Sequence, residues 1–353
     1  MELSVKSNTR TYKIIFDLNL IDNIQKYINS SVYSGKIILI YSDSVIHIAE
    51  KLLTKLSINE NIIFKLKIDD GEDNKSLENV NVILKKLYDL GCQKDSTIIS
   101  LGGGSQGDII GFISSIYMRG IKYINIPTTL LSMVDSSIGG KTAVNAHSIK
   151  NIFGTIYPPH QVLINPKFLG SLQSNEVKSG LGEIIKYGFI NDENLIKHVI
   201  DNYNCIMQLE NYDLILDIIL KCCSIKKYFI EKDEFDSNER HILNFGHTLG
   251  HIIEKKYKHE SITHGEAIIS GMYYSIKLSK YKNILKSESY NKMIKYFDKL
   301  NFKNKFIFDD NDISNIKYDK KSGSKNYKFI LLKDFGKPII SNNVTENDIL
   351  NII

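Results

Sequence analysis

The chain has 353 residues, of which 45 are Lys or Arg and 40 Asp or Glu, giving a formal charge of 45 − 40 = +5. At about 150 residues per domain this length suggests two domains. An apolar share of 42% and a charged share of 24% exclude a disordered or fibrous chain, and so small an excess of positive charge is no argument for nucleic acid or an anionic membrane as partner.

From residue 36 to 164 short β-rich runs alternate with amphipathic segments, the pattern of a parallel sheet covered by helices. Strands are predicted at 36–41, 62–67, 97–101, 123–126 and 161–164. The first is followed by Asp43, the second by the turn Asp70-Gly71-Glu72-Asp73-Asn74-Lys75. A helix is predicted over 76–90, where Leu77, Val80, Leu84, Leu87 and Tyr88 recur at helical spacing, with Ser76 as cap and Gly91 as stop. After the third strand comes Gly102-Gly103-Gly104-Ser105-Gln106-Gly107-Asp108, leading into a helical pattern at 109–117. Glycines at such a turn let backbone N–H groups approach a pyrophosphate at a helix N-terminus. The fourth strand runs into Pro127-Thr128-Thr129 and on to Asp135 and Gly139-Gly140-Lys141, a hydroxyl-rich stretch able to hold an anion but not a Walker A loop.

Beyond Pro166 long helical periods dominate, with β-rich runs only at 327–332 and 338–340. The expected division is therefore an α/β dinucleotide-binding domain at 1–165 and a mainly α-helical domain at 166–353, with catalysis in the cleft between them. In the second part Glu183 and Lys186 stand at i, i+3 in GLGEIIKYG, an apolar context that argues against a solvated surface pair. His247 and His251 share a helix face four residues apart, and His264 opens another helical pattern. From spacing alone three histidine ligands are expected; a carboxylate with two histidines is the other three-ligand set that leaves a zinc position open.

Cys92, Cys205, Cys222 and Cys223 show no CxxC spacing and read as reduced thiols. The polar start of the chain and the lack of about 18 consecutive apolar residues complete the expectation of a cytoplasmic protein.

The segments PTTLLSMVDSSIGGKTAVN, GLGEIIKYG, LNFGHTLGHIIE and THGEAIISGM, in this order, resemble the 3-dehydroquinate synthases, over a stretch from about Asp70 to Lys321. The resemblance implies a Rossmann-like half and a metal half, NAD and a divalent metal (zinc or cobalt) as cofactors, and a homodimer. It implies that 3-deoxy-D-arabino-heptulosonate 7-phosphate becomes 3-dehydroquinate and phosphate by transient oxidation, elimination, re-reduction and aldol closure. Glu183, His247 and His264 would hold the metal, which replaces His251 of the spacing argument by Glu183 and leaves His251 to hydrogen bonding or proton relay. Asp135, Lys186 and Asn244 would hold substrate hydroxyls, and Lys226 and Arg240 its carboxylate. Lys141, Asn151 and one of Lys320 and Lys321 would hold its phosphate, with Arg119 contributed across the dimer interface.

For NAD the matching positions are Asp43, Glu72, Lys75, Gly103, Gly104, Asp108, Thr128, Thr129, Lys150, Phe168, Ser171 and Leu172, and Asp70, Gly71, Ser105, Gln106, Gly107 and Lys141 are expected at the cofactor with them. Ser105-Gln106 departs from the family's Gly-Gly-Gly-Val-[Val/Ile]-Gly-Asp, and Ala146-His147-Ser148-Ile149 departs from the family before Lys150. Two rivals remain, another sugar phosphate cyclase such as 2-deoxy-scyllo-inosose synthase and a metal-dependent polyol dehydrogenase. The first is disfavoured by the carboxylate pair Lys226 and Arg240, the second by the cation cluster, which it does not need. Small-molecule substrate is the expected partner, with neither nucleic acid nor membrane.

Overall fold

The computed structural model describes residues 1–29, 35–56, 62–147, 149–257, 262–300 and 326–353. The chain separates into two compact units: 1–172 together with 212–235, and 173–211 together with 236–353.

The first unit is built on a seven-stranded sheet. Its strands are β1 (Glu2–Lys6), β2 (Thr11–Phe16), β3 (Ile37–Tyr41), β4 (Ile63–Lys67), β5 (Thr97–Gly102), β6 (Lys122–Pro127) and β9 (Gln161–Ile164), in the order β1-β2-β9-β6-β5-β3-β4. β1 and β2 pair antiparallel, and the pairings from β2 through to β4 are parallel. β3 is buried along its whole length, as a strand covered on both faces must be, which explains its continuous Ile-Ile-Leu-Ile run. Helix Leu77–Asp89 forms as the spacing predicts: Ser76 accepts the Asn79 N–H at 3.3 Å, and Gly91 follows in the left-handed region at φ +65°. Val80, Ile83 and Leu87 of that helix pack with Ile38, Ile40 and Ile98 of the sheet and Ile110 and Ile113 of helix Gly104–Ile116, each buried branched side chain contributing about 1.5–3 kcal/mol. The hairpin β7 (Lys141–Ala146) and β8 (Ile149–Ile156) stands apart from the main sheet, and neither it nor the β1–β2 pair was expected.

The division differs from 1–165 and 166–353 in one important respect: helix Tyr212–Lys232 belongs to the first unit. The Lys6 N–H donates to Glu231 at 2.8 Å and the Thr9 N–H to Glu234 at 3.0 Å, fastening the end of that helix and the residues after it to the β1–β2 hairpin. Local helical periodicity cannot reveal which unit a helix joins.

The second unit is mainly helical, as expected, with helices Ser174–Ile190, Glu193–Asp201, His247–Lys256, His264–Tyr281 and Ser287–Lys299 beside a two-stranded hairpin of β10 (Tyr327–Leu332) and β11 (Pro338–Val344). Leu249, Ile253, Ala267, Tyr274, Phe329 and Leu331 lie in one of its core clusters. Among the described residues no helix is long and apolar enough to cross a membrane.

Candidate functional site

In the first unit the chain leaves β3 for β4 on one side and returns to β5 on the other, so the strand order reverses between β3 and β5. Ligands of open parallel sheets bind outside the carboxyl ends of the strands at such a point. Asp43 follows β3, Gly103 and Gly104 follow β5, Thr128 and Thr129 follow β6, and Phe168, Ser171 and Leu172 follow β9. Tertiary topology thus gathers at one end of the sheet residues that the sequence scatters over 130 positions. Helix Gly104–Ile116 starts here, directly after Gly103, and offers N–H groups to an anion.

Around that helix start lies a polar network. Buried Lys75 donates to Asp108 at 2.6 Å and to the side-chain oxygen of Asn151. Glu72 accepts from Asn145 at 2.8 Å and from Ser105 at 2.5 Å. Burial drives the Asp108 carboxyl up to about 6 in spite of Lys75. Burial pushes Glu72 upward too, but Lys75, Asn145 and Ser105 outweigh it and hold that carboxyl below its ordinary value. Asp70 accepts from Ser44, at 3.2 Å from its N–H and 3.1 Å from its hydroxyl, while Asp43 is exposed and paired with Lys67 at 2.6 Å. Gly71 has φ +101°, a conformation only glycine adopts without strain. Asn151, expected on the phosphate, sits beside the residues expected on NAD. Lys141 and Lys150 are exposed on β7 and β8.

Gln106 points into the protein. Its amide nitrogen donates to the carbonyls of Ile40 and Leu101, both at 2.8 Å, so it ties β3 to β5 where they diverge. The side chain lies over Gly102, where an added Cβ would fall 2.3 Å from the Gln106 oxygen. The Ser105 hydroxyl, by contrast, is spent on Glu72. Sequence reasoning grouped both with the cofactor residues and gave no sign that one is directed to the sheet.

Asp135 lies in the π-type turn Ser132–Ser136 that follows β6. Lys226, from helix Tyr212–Lys232, donates to the Asp135 carboxylate at 2.8 Å and to its carbonyl at 2.7 Å. These two expected substrate residues are therefore partners of each other. Arg119 is exposed at the corner after helix Gly104–Ile116, where Met118 and Arg119 take φ +48° and +58° and Gly120 follows at +102°.

In the second unit three helices converge through glycines. A Cβ on Gly182 would meet Gly265 Cα at 2.5 Å, one on Gly265 would meet the Ser179 carbonyl at 2.1 Å, and one on Gly271 would meet the Gly246 carbonyl at 1.9 Å. Any side chain at these positions would force the helices apart, so the glycines of GLGEIIKYG, LNFGHTLGH and THGEAIISGM set the spacing of what they carry. They carry Glu183, His247 and His264. Glu183 Oε1 lies 3.6 Å from His247 Nε2 and 3.5 Å from His264 Nε2, and the three ligand atoms are all within 4.8 Å of one another. A second grouping of that kind joins His251, Glu254 and His264; among the described residues the three histidines alone do not form one. The three histidines of the spacing argument are not brought together as one such group: the His251 ring is 5.3 Å from that of His247, and His251 is exposed.

One carboxylate oxygen and two imidazoles suit a divalent transition metal such as zinc. The outer nitrogen of each ring is engaged: His247 Nδ1 is 3.2 Å from the Phe245 carbonyl and His264 Nδ1 is 3.4 Å from Glu254. Burial drives His247 down to about 3, so its imidazole is neutral at physiological pH. For His264 burial acts in the same direction but is outweighed by Glu183 and Glu254, which raise it to about 9. Lys186 is paired with Glu183, and exposures of 2% and 1% show that this is a buried pair, as its apolar flanks suggested. Arg240 is buried at 3% exposure in the turn Glu239–Asn244, whereas Asn244 and His251 are exposed. Lys320 and Lys321 lie outside the described residues.

Residues 65–179 match the family model described as 3-dehydroquinate synthase N-terminal, and residues 180–322 the model described as 3-dehydroquinate synthase C-terminal. A 3-dehydroquinate synthase of Clostridium tetani is 40% identical, the alignment covering 100% of this chain and 94% of that one. Another, of Thermoanaerobacter pseudethanolicus, is 36% identical with 99% of each covered. Among solved structures, 2-deoxy-scyllo-inosose synthase complexed with carbaglucose-6-phosphate, NAD+ and Co2+ superimposes with a TM-score of 0.88 at 26% identity, covering 100% of this chain and 99% of that one. The 2-epi-5-epi-valiolone synthase of Streptomyces hygroscopicus with NAD+ and Zn2+ bound shares the fold, with a TM-score of 0.86 at 23% identity and coverages of 97% and 95%.

Proposed function

The chain belongs to the 3-dehydroquinate synthase family, and on that premise we propose how its residues carry the reaction. It is an enzyme, a lyase that converts 3-deoxy-D-arabino-heptulosonate 7-phosphate into 3-dehydroquinate and phosphate. Identities of 36–40% to 3-dehydroquinate synthases over the full length, against 26% to 2-deoxy-scyllo-inosose synthase, support this reaction over the other cyclase. NAD and a divalent metal are its cofactors: when bound, NAD+ accepts and returns a hydride, and the cation acidifies the hydroxyl being oxidised.

The observation that carries the assignment of residues is the donor set Glu183, His247 and His264, held by three glycine-packed helices with both rings anchored from behind. In this reading the second unit holds the metal with these three, zinc or cobalt being the candidates. The ammonium of Lys186, beside Glu183, and the Asn244 amide hold substrate hydroxyls. The buried guanidinium of Arg240 matches the two oxygens of a carboxylate in a fork that lysine cannot offer. His251, exposed next to His247, donates to substrate and relays a proton.

The first unit holds NAD, with its pyrophosphate at the start of helix Gly104–Ile116 and its remaining contacts from Asp43, Glu72, Lys75, Asp108, Thr128, Thr129, Lys150, Phe168, Ser171 and Leu172. Gln106 serves from behind the loop by bracing β3 against β5. Asp135 and Lys226 act on substrate as one unit, and Lys141, Asn151 and one of Lys320 and Lys321 hold its phosphate. Exposed Arg119 reaches the neighbouring subunit of a homodimer. Residence in the cytoplasm is supported by the four free cysteines.

The test supplies the purified protein with NAD+, Zn2+ and the heptulosonate phosphate and follows phosphate release and 3-dehydroquinate formation. Both products should appear without net NADH. Accumulating NADH with neither product would overturn the reading in favour of a polyol dehydrogenase.

A further inference from the structure

We propose that Glu254 is a positioning residue for the metal centre: its carboxylate accepts the Nδ1 proton of His264 and thereby turns the Nε2 lone pair of that ring toward Glu183 and His247. The inference rests on the reading that Glu183, His247 and His264 hold a divalent cation.

Glu254 stands on helix His247–Lys256, seven residues after His247 and therefore two turns along the same face. It is 8% exposed, a depth at which a carboxylate requires a partner. Its Oε2 is 3.4 Å from His264 Nδ1, while the opposite nitrogen of the ring is 3.5 Å from Glu183 Oε1. The imidazole is thus held between two carboxylates, one from behind and one across the ligand position. Metal-binding imidazoles need this arrangement, because a proton fixed on one nitrogen leaves the lone pair on the other and makes it a stronger donor. His247 has the neutral counterpart, its Nδ1 lying 3.2 Å from the Phe245 carbonyl. Of the two proposed histidine ligands, His264 is the one with a carboxylate at its outer nitrogen among the described residues.

Glu254 also belongs to the grouping with His251 and His264, in which it would be a ligand itself. Two facts favour the positioning role. The Glu183 grouping is built on a carboxylate only 1% exposed, whereas His251 is exposed. The His264 nitrogen that faces Glu254 is Nδ1, and a cation there would displace the contact that orients the ring.

Metal-free full-length protein, Glu254→Ala and Glu254→Gln are titrated with Zn2+ in competition with a chromophoric chelator, and with Co2+ while its visible absorption is recorded. Zinc affinity should fall about 10–100-fold in Glu254→Ala. The loss should be smaller in Glu254→Gln, whose amide oxygen still accepts from Nδ1. The cobalt spectrum at saturation should be that of the wild type in both, since the ligand set is unchanged. Wild-type zinc affinity in folded Glu254→Ala, or in folded Glu254→Gln should the alanine variant not fold, would overturn the role, and so would an altered cobalt spectrum at saturation, which would make Glu254 a ligand. Glu183→Gln separates the two layers of argument. Loss of metal there with wild-type affinity in Glu254→Ala refutes the positioning role alone; wild-type affinity in Glu183→Gln refutes the centre and the role together.

Discussion

The ammonium of Lys226 is 2.8 Å from a carboxylate oxygen of Asp135 and 2.7 Å from the same residue's carbonyl oxygen. Ninety-one positions separate the two in sequence, and their meeting fastens a helix of the later chain to the turn that follows β6. Lys226 is 6% exposed, so its charge depends on this partner. Replacing Lys226 by Met should therefore cost about 2–3 kcal/mol of stability, somewhat below the loss for breaking a fully buried pair because the Asp135 side chain is 24% exposed. Urea unfolding measures it. On the proposed assignment turnover should also fall while zinc affinity stays at the wild-type value, because Lys226 is not one of the donor group Glu183, His247 and His264.

The metal assignment separates three histidines by role. His247→Ala and Glu183→Gln should each abolish stoichiometric zinc binding, read by competition with a chelator. His251→Ala should retain the metal and lose rate, since its ring is outside the group of ligand atoms formed by Glu183, His247 and His264. Equal metal loss in all three variants would show the ligand assignment to be wrong, and loss in His251→Ala with metal retained in Glu183→Gln would restore the three-histidine arrangement that spacing suggested.

Gln106 and Gly102 should behave as a coupled pair. Gln106→Ala removes two buried hydrogen bonds and should cost about 1–2 kcal/mol. Gly102→Ala puts a Cβ against the glutamine amide and should be destabilising in the wild type, yet measurably less so in the Gln106→Ala background. A double-mutant cycle of unfolding free energies gives the coupling. Additive losses would mean that the glutamine does not lie over Gly102 in solution.

Asp108 supplies a pH dependence of definite sign. Its carboxyl is raised from 3.8 to about 6 by burial, so between these values the folded protein binds more protons than the unfolded chain. Its contribution to stability is then present at low pH and is lost as pH rises through about 6, a change of about 1–3 kcal/mol. Stability of the wild type relative to Asp108→Asn, in cofactor-free protein, should therefore decline between pH 4 and pH 7. A difference independent of pH would show that Lys75 fully compensates the burial.

The alternation of β-rich and helical runs determined by itself that the first part of the chain forms a parallel sheet, because period-two and period-3.6 patterns are local properties. It located β3, β4, β5, β6 and β9 to within a residue at each end, and Ser76 and Gly91 marked the ends of helix Leu77–Asp89. The hairpins β1–β2 and β7–β8 escaped it, since their short polar-rich strands gain their order from pairing. The chemistry-bearing residues of the second unit were legible too, as were the glycines beside them. What those glycines are for was not. Only the packed helices show that Gly182 rests on Gly265 and Gly271 on Gly246, which brings Glu183, His247 and His264 together. Tertiary structure alone assigned helix Tyr212–Lys232 to the first unit, turned Gln106 onto two strand carbonyls and set Glu254 behind His264. The reason is the same in each case: a side chain's type and its helix face are fixed by near neighbours in sequence, but its partner is chosen by how closely separate elements can approach.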